Sequence, residues 1–162
     1  LMRSSAASDV YKRQALVIVR EMTDNLVLDL FEKGLVTSSL TLWIAYDHRY
    51  EHEASKGTVK LERESNSSKK IIDAVEDLYL RIADRYTGIR RIEVCANRVA
   101  PESYVQYSLF DDPKQTDKER HLQEAVLNVK QRYGKNAIMR GSNLLECSTY
   151  RERNEQVGGH RA

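Results

Sequence analysis

Residues 39–46, SLTLWIAY, decide the fold of this chain. Alternate positions of the stretch are apolar, namely Leu40, Leu42, Ile44 and Tyr46. The positions between them hold Thr41, Trp43 and Ala45. Because successive side chains of a β-strand point to opposite faces, this alternation predicts a strand with one face in a core and the other open to solvent.

A second alternating stretch lies at residues 58–63, TVKLER, after a polar turn at Lys56-Gly57. Val59 and Leu61 would face the core, and the outward positions are Thr58, Lys60 and Glu62. Two alternating stretches joined by a turn are typical of an antiparallel hairpin.

A third strand is predicted at residues 89–99, IRRIEVCANRV, and Pro101 ends it because proline lacks the N–H that a sheet ladder needs. Its core-facing positions are Ile92, Val94 and Ala96. Its outward positions are Arg91, Glu93, Cys95 and Asn97. The outward side of this strand is therefore polar.

Two amphipathic helices accompany these strands. Apolar residues at three- and four-residue steps predict a helix from Ala15 to Glu32, and Gly34 would terminate it. A second helix would begin at Ser67 or Ser68 and continue to a stop at Gly88. The element order predicts an α+β fold over residues 15–100, an open antiparallel sheet of three, possibly four, strands covered on one face by two helices.

Residues 101–115 form a predicted linker after this domain. A third helix would begin at Thr116, since Glu119 three residues later completes a capping box, and Gly134 would end it. Residues 116–162 are thus a helical C-terminal extension with a polar tail, TYRERNEQVGGHRA, for which we expect little packing.

Residues 1–14, LMRSSAASDVYKRQ, have no hydrophobic period. The run SSAASDVYKRQ resembles the translated linker sequence found fused to fragmentary metagenomic reading frames. We interpret residues 1–14 as a non-native or disordered leader and expect the natural chain to extend further upstream.

The composition excludes several classes of protein. The 162 residues include 26 Lys and Arg against 24 Asp and Glu, so the formal charge of +2 gives no global sign of nucleic-acid binding. Cys95 and Cys147 are far apart, which suits a reduced cytoplasmic protein better than a disulfide scaffold. The chain also has no apolar run long enough to span a bilayer, so we expect no membrane partner.

The sequence predicts no catalytic residue and no metal site. His48 and His52 are four residues apart, but they follow a strand in a charged turn without a third ligand, so a solvated loop is the alternative. Asp111 and Asp112 could hold a divalent ion, yet acids beside a proline more often form a turn or flank a helix.

The outward face of the sheet is the candidate binding surface. Lys60, Arg91 and Asn97 would lie on it beside Thr41 and Trp43, with Arg90 and Arg98 at its margins. Cations and hydrogen-bond donors are what phosphate contacts need. A solvated face with scattered charge is the alternative.

The element order, with TGIRRIEV entering the last strand, resembles the C-terminal little-finger domain of Y-family translesion DNA polymerases of the bacterial UmuC/DinB/ImpB kind. The resemblance implies a domain that grips duplex DNA through its open face in lesion bypass and DNA repair. It implies that Arg90, Arg91 and Arg98 hold template phosphates. Lys60 and Asn97 join them by their place on the outward face.

Residues 106–110, QYSLF, resemble the pentapeptide with which bacterial polymerases dock on the sliding clamp. By that match Gln106 would hydrogen-bond at the rim, Ser108 is a variable position, and Leu109 and Phe110 would fill an apolar pocket. Tyr107 stands where leucine is usual. The alternative is that Leu109 and Phe110 fold back onto their own domain.

The segment VKQRYGKNAIMRGSNLL and the end ERNEQVGGHRA resemble the C-terminal extension of UmuC-like proteins of Gram-positive bacteria, so we expect a genuine C-terminus. The acidic palm domain, with its Mg²⁺ ions, and the family's first little-finger strand have no match here. The sequence therefore predicts a DNA-binding fragment without a cofactor of its own, with DNA and the sliding clamp as partners. A protein-interaction adaptor without DNA affinity and a small metal-dependent hydrolase are the alternatives.

Overall fold

The computed structural model describes residues 5–49, 52–84, 88–103, 112–157 and 160–161, and it confirms the predicted α+β class. The main elements, in chain order, are α1 (Ser5–Glu32), β1 (Leu35–Tyr46), β2 (Ser55–Ser65), α2 (Ser68–Ile82), β3 (Ile89–Pro101) and α3 (Pro113–Tyr133). A 3₁₀ turn (Gly141–Leu144), the short helix α4 (Tyr150–Asn154) and the paired strands β4 (Gln156–Val157) and β5 (His160–Arg161) follow.

The main sheet has three antiparallel strands in the order β2-β1-β3, so β1 is central. The register pairs Leu40 with Val59 on one side and with Ala96 on the other. Residues opposite each other in a ladder share a face, so the two faces predicted from alternation are confirmed. Strand β2 is longer than predicted, because it begins at Ser55 and continues to Ser65.

The core lies between the sheet and two helices, α1 and α2. Its fully buried members are Leu40, Leu42 and Ile44 of β1, Val19 and Val27 of α1, and Ile71, Val75 and Tyr79 of α2. Both helices therefore cover the same face of the sheet, as predicted, and the other face stays open.

Helix α1 begins at Ser5, so the predicted start at Ala15 is wrong. Within the leader, the backbone carbonyl of Lys12 accepts a hydrogen bond of 3.0 Å from the hydroxyl of Tyr79 on α2. Burial raises the pKa of the Tyr79 hydroxyl, which keeps this donor protonated. Adding a turn to an established helix costs little free energy, because the helix is already nucleated. A polar leader without hydrophobic periodicity can therefore extend α1 towards the N-terminus.

Helix α2 begins as predicted and ends early. Ser67 is the N-cap, and its side chain accepts a hydrogen bond from the backbone N–H of Lys70. The helix ends at Ile82 with Ala83 as the C-cap, so Gly88 does not stop it.

Helix α3 begins at Pro113, and the predicted capping box at Thr116 is wrong. Asp112 is the N-cap and accepts a hydrogen bond from the N–H of Lys114, while proline in the first turn has no N–H to leave unpaired. The Glu119 carboxylate instead accepts hydrogen bonds from Ser67 Oγ (2.8 Å) and from the N–H of Lys69 (2.9 Å). The side chain that sequence assigned to capping α3 therefore attaches α3 to α2. Gly134 ends the helix, as predicted, with a positive φ of 99°.

The tail packs against the domain, contrary to our expectation. Tyr150 is 1% exposed, and its hydroxyl accepts a hydrogen bond of 2.5 Å from Lys130 of α3. Arg153 of the tail donates to Glu21 of α1 at 2.8 Å, and Arg140, which precedes the tail, donates to Asp24 of α1 at 2.7 Å. The described residues of the C-terminal extension therefore form a second layer on the helices.

Candidate nucleic-acid interface

The open face consists of the outward side chains of three paired strands. They are Ser39, Thr41, Trp43 and Ala45 of β1, Lys56, Thr58 and Lys60 of β2, and Arg91, Glu93, Cys95 and Asn97 of β3. The ladder arranges them in rows: Lys60 lies opposite Ser39, which lies opposite Asn97, and Lys56 lies opposite Trp43, which lies opposite Glu93. The structure thus brings the predicted residues Lys60, Arg91 and Asn97 onto one face.

A hydrogen-bonded row of polar side chains crosses the middle of this face. The Asn97 amide Nδ2 donates to Thr41 Oγ1 at 2.8 Å, and Thr41 Oγ1 lies 2.9 Å from Thr58 Oγ1. The row joins all three strands. It fixes the Asn97 side chain and commits one of its two amide hydrogens to the sheet.

Arg91 lies between an aromatic ring and a carboxylate. Its guanidinium carbon is 5.9 Å from the centre of the Trp43 ring, and its Nη2 is 2.6 Å from Glu93 Oε1. The Arg91 side chain is 68% exposed, so its charge is available to solvent. Both contacts orient the guanidinium along the open face.

Arg90 lies at the end of the sheet. Its guanidinium contacts the imidazole Nε2 of His48, just beyond β1. Arg49 follows His48 in the chain, and its hydrogen bonds lower the pKa of Asp47 to about 2. The end of the sheet therefore carries a negative charge on Asp47 and positive charges on the arginines at neutral pH. The prediction of Arg90 at the margin of the face agrees with this placement.

Arg98 departs from the regular strand geometry. Its φ of 51° lies in the left-handed region, which residues other than glycine rarely adopt. Arg98 is two residues after Ala96, so in a regular strand it would point to the core face as Ala96 does. Its side chain is exposed instead. Arg98 is therefore outside the regular rows of the open face, at its margin.

Lys56 is the residue that sequence reasoning missed. The sequence predicts a turn at Lys56 and Gly57, whereas Lys56 lies in β2 opposite Trp43. The signal was present, because Lys56, Thr58 and Lys60 continue a single alternation. Extending that alternation by one step would have found it.

The candidate clamp-binding residues Gln106, Tyr107, Ser108, Leu109 and Phe110 lie outside the described residues. The chain on either side of them is described. Glu102, which follows β3, makes a two-pronged ion pair with Arg120 of α3 at 2.8 and 2.9 Å. The Arg120 hydrogen bonds hold the pKa of Glu102 below its ordinary value.

The two candidate histidine ligands have different partners. His48 contacts Arg90, whereas His52 Nε2 lies 2.5 Å from the Asp84 carboxylate and its ring packs edge-on against Tyr46. In the part of the chain that the structure describes, no three His, Cys, Asp or Glu side chains are grouped to hold a metal ion. None of the helices in these described ranges is both long and apolar enough to span a membrane.

Comparison with known proteins identifies the family. The model described as the impB/mucB/samB family C-terminal domain matches residues 3–109, and the chain belongs to this family. DNA polymerase IV 2 of Bacillus subtilis (strain 168) is 30% identical over 102 residues, which are 63% of this chain and 24% of that protein. These matches confirm the predicted class, the C-terminal part of a Y-family polymerase. No solved structure matches the chain significantly.

Proposed function

We propose that this domain grips DNA for a translesion polymerase, through contacts between its open face and the phosphate backbone. The observation that carries the proposal is the placement of Lys56, Lys60 and Arg91 on the one sheet face that α1 and α2 leave open. Cations on an open polar surface suit phosphates, which all DNA sequences share. Nucleotidyl transfer, with its Mg²⁺ ions, is assigned to the palm domain of the whole polymerase.

The dimensions of the face suit a backbone contact. Arg91 and Asn97 are six residues apart on β3, which corresponds to about 20 Å along the strand. Arg90 and Arg98 would extend the contact at the two ends of this line. A surface of this length reaches several successive phosphates, so we expect binding to fall steeply with salt and to depend little on sequence.

We further propose that residues 106–110 dock on the sliding clamp. The support is the QYSLF motif, together with the family membership. The docking peptide would then follow the last strand of the DNA-gripping sheet directly. Clamp attachment would keep a weakly bound polymerase near its template.

A fluorescence-anisotropy titration with duplex DNA at several salt concentrations tests the DNA proposal. Lys60→Ala with Arg91→Ala should weaken binding of unrelated sequences equally and reduce the salt slope by about 0.9 for each phosphate that the variant no longer neutralises. Arg90→Ala with Arg98→Ala should act in the same direction. Lys33→Ala with Lys69→Ala is the matched control, because it also removes two positive charges and both lysines lie on the helix side, Lys33 after α1 and Lys69 as an exposed residue of α2.

Unchanged DNA affinity in both double variants would reject the proposal. The protein-interaction alternative predicts a further result, namely clamp or partner binding without any salt-dependent affinity for DNA.

A further inference from the structure

Glu93 is an acidic residue among the cations of the open face. It lies opposite Trp43 in the ladder, and its carboxylate is 2.6 Å from the guanidinium of Arg91. Lys56 lies across Trp43 on the other side of the same row. A fixed negative charge at this position repels the phosphates that such a surface would bind.

The pair between Glu93 and Arg91 contributes little to the fold. The two side chains are 41% and 68% exposed, and ion pairs between exposed side chains contribute little to folding. Both residues belong to the same strand, β3, so their ion pair joins no two elements of the fold. We therefore expect Glu93 to affect what binds to the open face, and not the stability of the domain.

We propose that Glu93 competes with DNA phosphates for Arg91 and thereby weakens the grip. The inference rests on the proposed function and adds how the affinity of the open face for DNA is regulated. A phosphate that binds Arg91 must displace the Glu93 carboxylate and then remain close to it. Because like charges repel most at low salt, Glu93 opposes DNA most strongly at low salt. Arg91 is released from DNA readily, since an intramolecular anion replaces the departing phosphate.

The test compares two substitutions that change the net charge equally. Glu93→Gln removes the competing charge, and Asp29→Asn removes the charge of a 67% exposed carboxylate that also pairs with a cation, but on α1. We expect Glu93→Gln to lower the Kd for duplex DNA about 3- to 10-fold at low salt and less at high salt. Asp29→Asn should leave the Kd unchanged. Trp43 is the single tryptophan of the chain and lies beside Arg91, so its fluorescence reports binding at this place directly.

A double-substitution cycle shows whether Glu93 acts through Arg91. In an Arg91→Ala background, Glu93→Gln should give little or no gain in affinity. If Glu93→Gln and Asp29→Asn lowered the Kd for DNA equally, the change in net charge would explain the effect, and the inference would be overturned. Weaker binding by Glu93→Gln would also overturn it, because Glu93 would then position Arg91 for phosphates.

The failure of the proposed function has a different signature. If the unmodified protein shows no salt-dependent DNA binding, both the proposed function and the inference fall. If it binds DNA and Arg91→Ala weakens binding, while Glu93→Gln changes nothing, only the inference falls.

Discussion

The carboxylate of Glu21 accepts a hydrogen bond of 2.8 Å from the guanidinium of Arg153, which lies 132 residues further along the chain. The Glu21 side chain is fully buried on α1. Ser148 Oγ and the N–H of Thr149 donate to the same carboxylate, at 2.5 and 3.3 Å. All of these donors belong to the extension, so the extension satisfies a buried charge of the domain.

Arg153→Ala should therefore destabilise the whole domain. Removing one partner of a buried ion pair leaves the other charge uncompensated, which costs about 3 kcal/mol. Urea denaturation followed by circular dichroism measures the change in the free energy of unfolding. Arg151→Ala is the matched control, because Arg151 is an exposed arginine in the same short helix, α4. Equal stability of the two variants would show that the Glu21 contact contributes nothing.

Gly57→Ala should also destabilise the domain, through overpacking. A Cβ atom at Gly57 would lie 2.8 Å from Leu78 Cδ1 and 3.0 Å from Ile82 Cγ2, on the underside of α2. Forcing an extra methyl group into a packed core costs about 1 to 3 kcal/mol. Gly141→Ala, where no atom lies within 4 Å of the added Cβ, is the control. A melting temperature for Gly57→Ala at or above that of the unmodified protein would contradict this packing.

Glu102 should contribute a pH-dependent part of the stability. Its pKa is lowered in the folded protein by Arg120, from an ordinary value of 4.5, so the folded state binds the proton less tightly than the unfolded state. The stabilisation is complete above pH 4.5 and is lost as the pH falls through the lower, folded pKa. Unfolding free energies measured from pH 7 to pH 3 should thus decline less for Glu102→Gln. Glu62→Gln, at an exposed position of β2, should follow the unmodified curve.

The clamp-docking proposal gives opposite predictions for neighbouring residues. Leu109→Ala with Phe110→Ala should abolish binding to a bacterial sliding clamp, because the two anchors supply most of the binding energy. Tyr107→Leu should strengthen it, since it restores the usual residue of the motif. Biolayer interferometry with immobilised clamp measures both, and DNA affinity serves as the control. If the double variant instead lowers the melting temperature and keeps its clamp affinity, the two side chains pack on their own domain.

The sheet was predictable because its signal is local. The two-residue period of residues 39–46 assigns every side chain to a face, and only one assignment buries the apolar set. The same period located Arg91 and Asn97 on the open face. Sequence places Arg98 at the margin of this face, where the structure also has it, but the positive φ that interrupts the regular backbone there leaves no mark in the sequence.

The extension was not predictable because its contacts are polar and distant in sequence. Glu21 and Arg153 each look like a solvated surface residue when read alone, and only the tertiary structure pairs them. Glu119 fitted a capping box, whereas Asp112 before Pro113 was the stronger helix start. A local rule chose the wrong residue because the side chain had a better partner on another helix.

The pairing of Glu102 with Arg120 has a consequence for the geometry of the assembled polymerase. It joins the end of β3 to α3, so the described residues on either side of residues 104–111 are linked by an ion pair. A clamp that bound residues 106–110 would therefore be attached close to both β3 and α3, and would set the orientation of the sheet as well as its distance from the clamp.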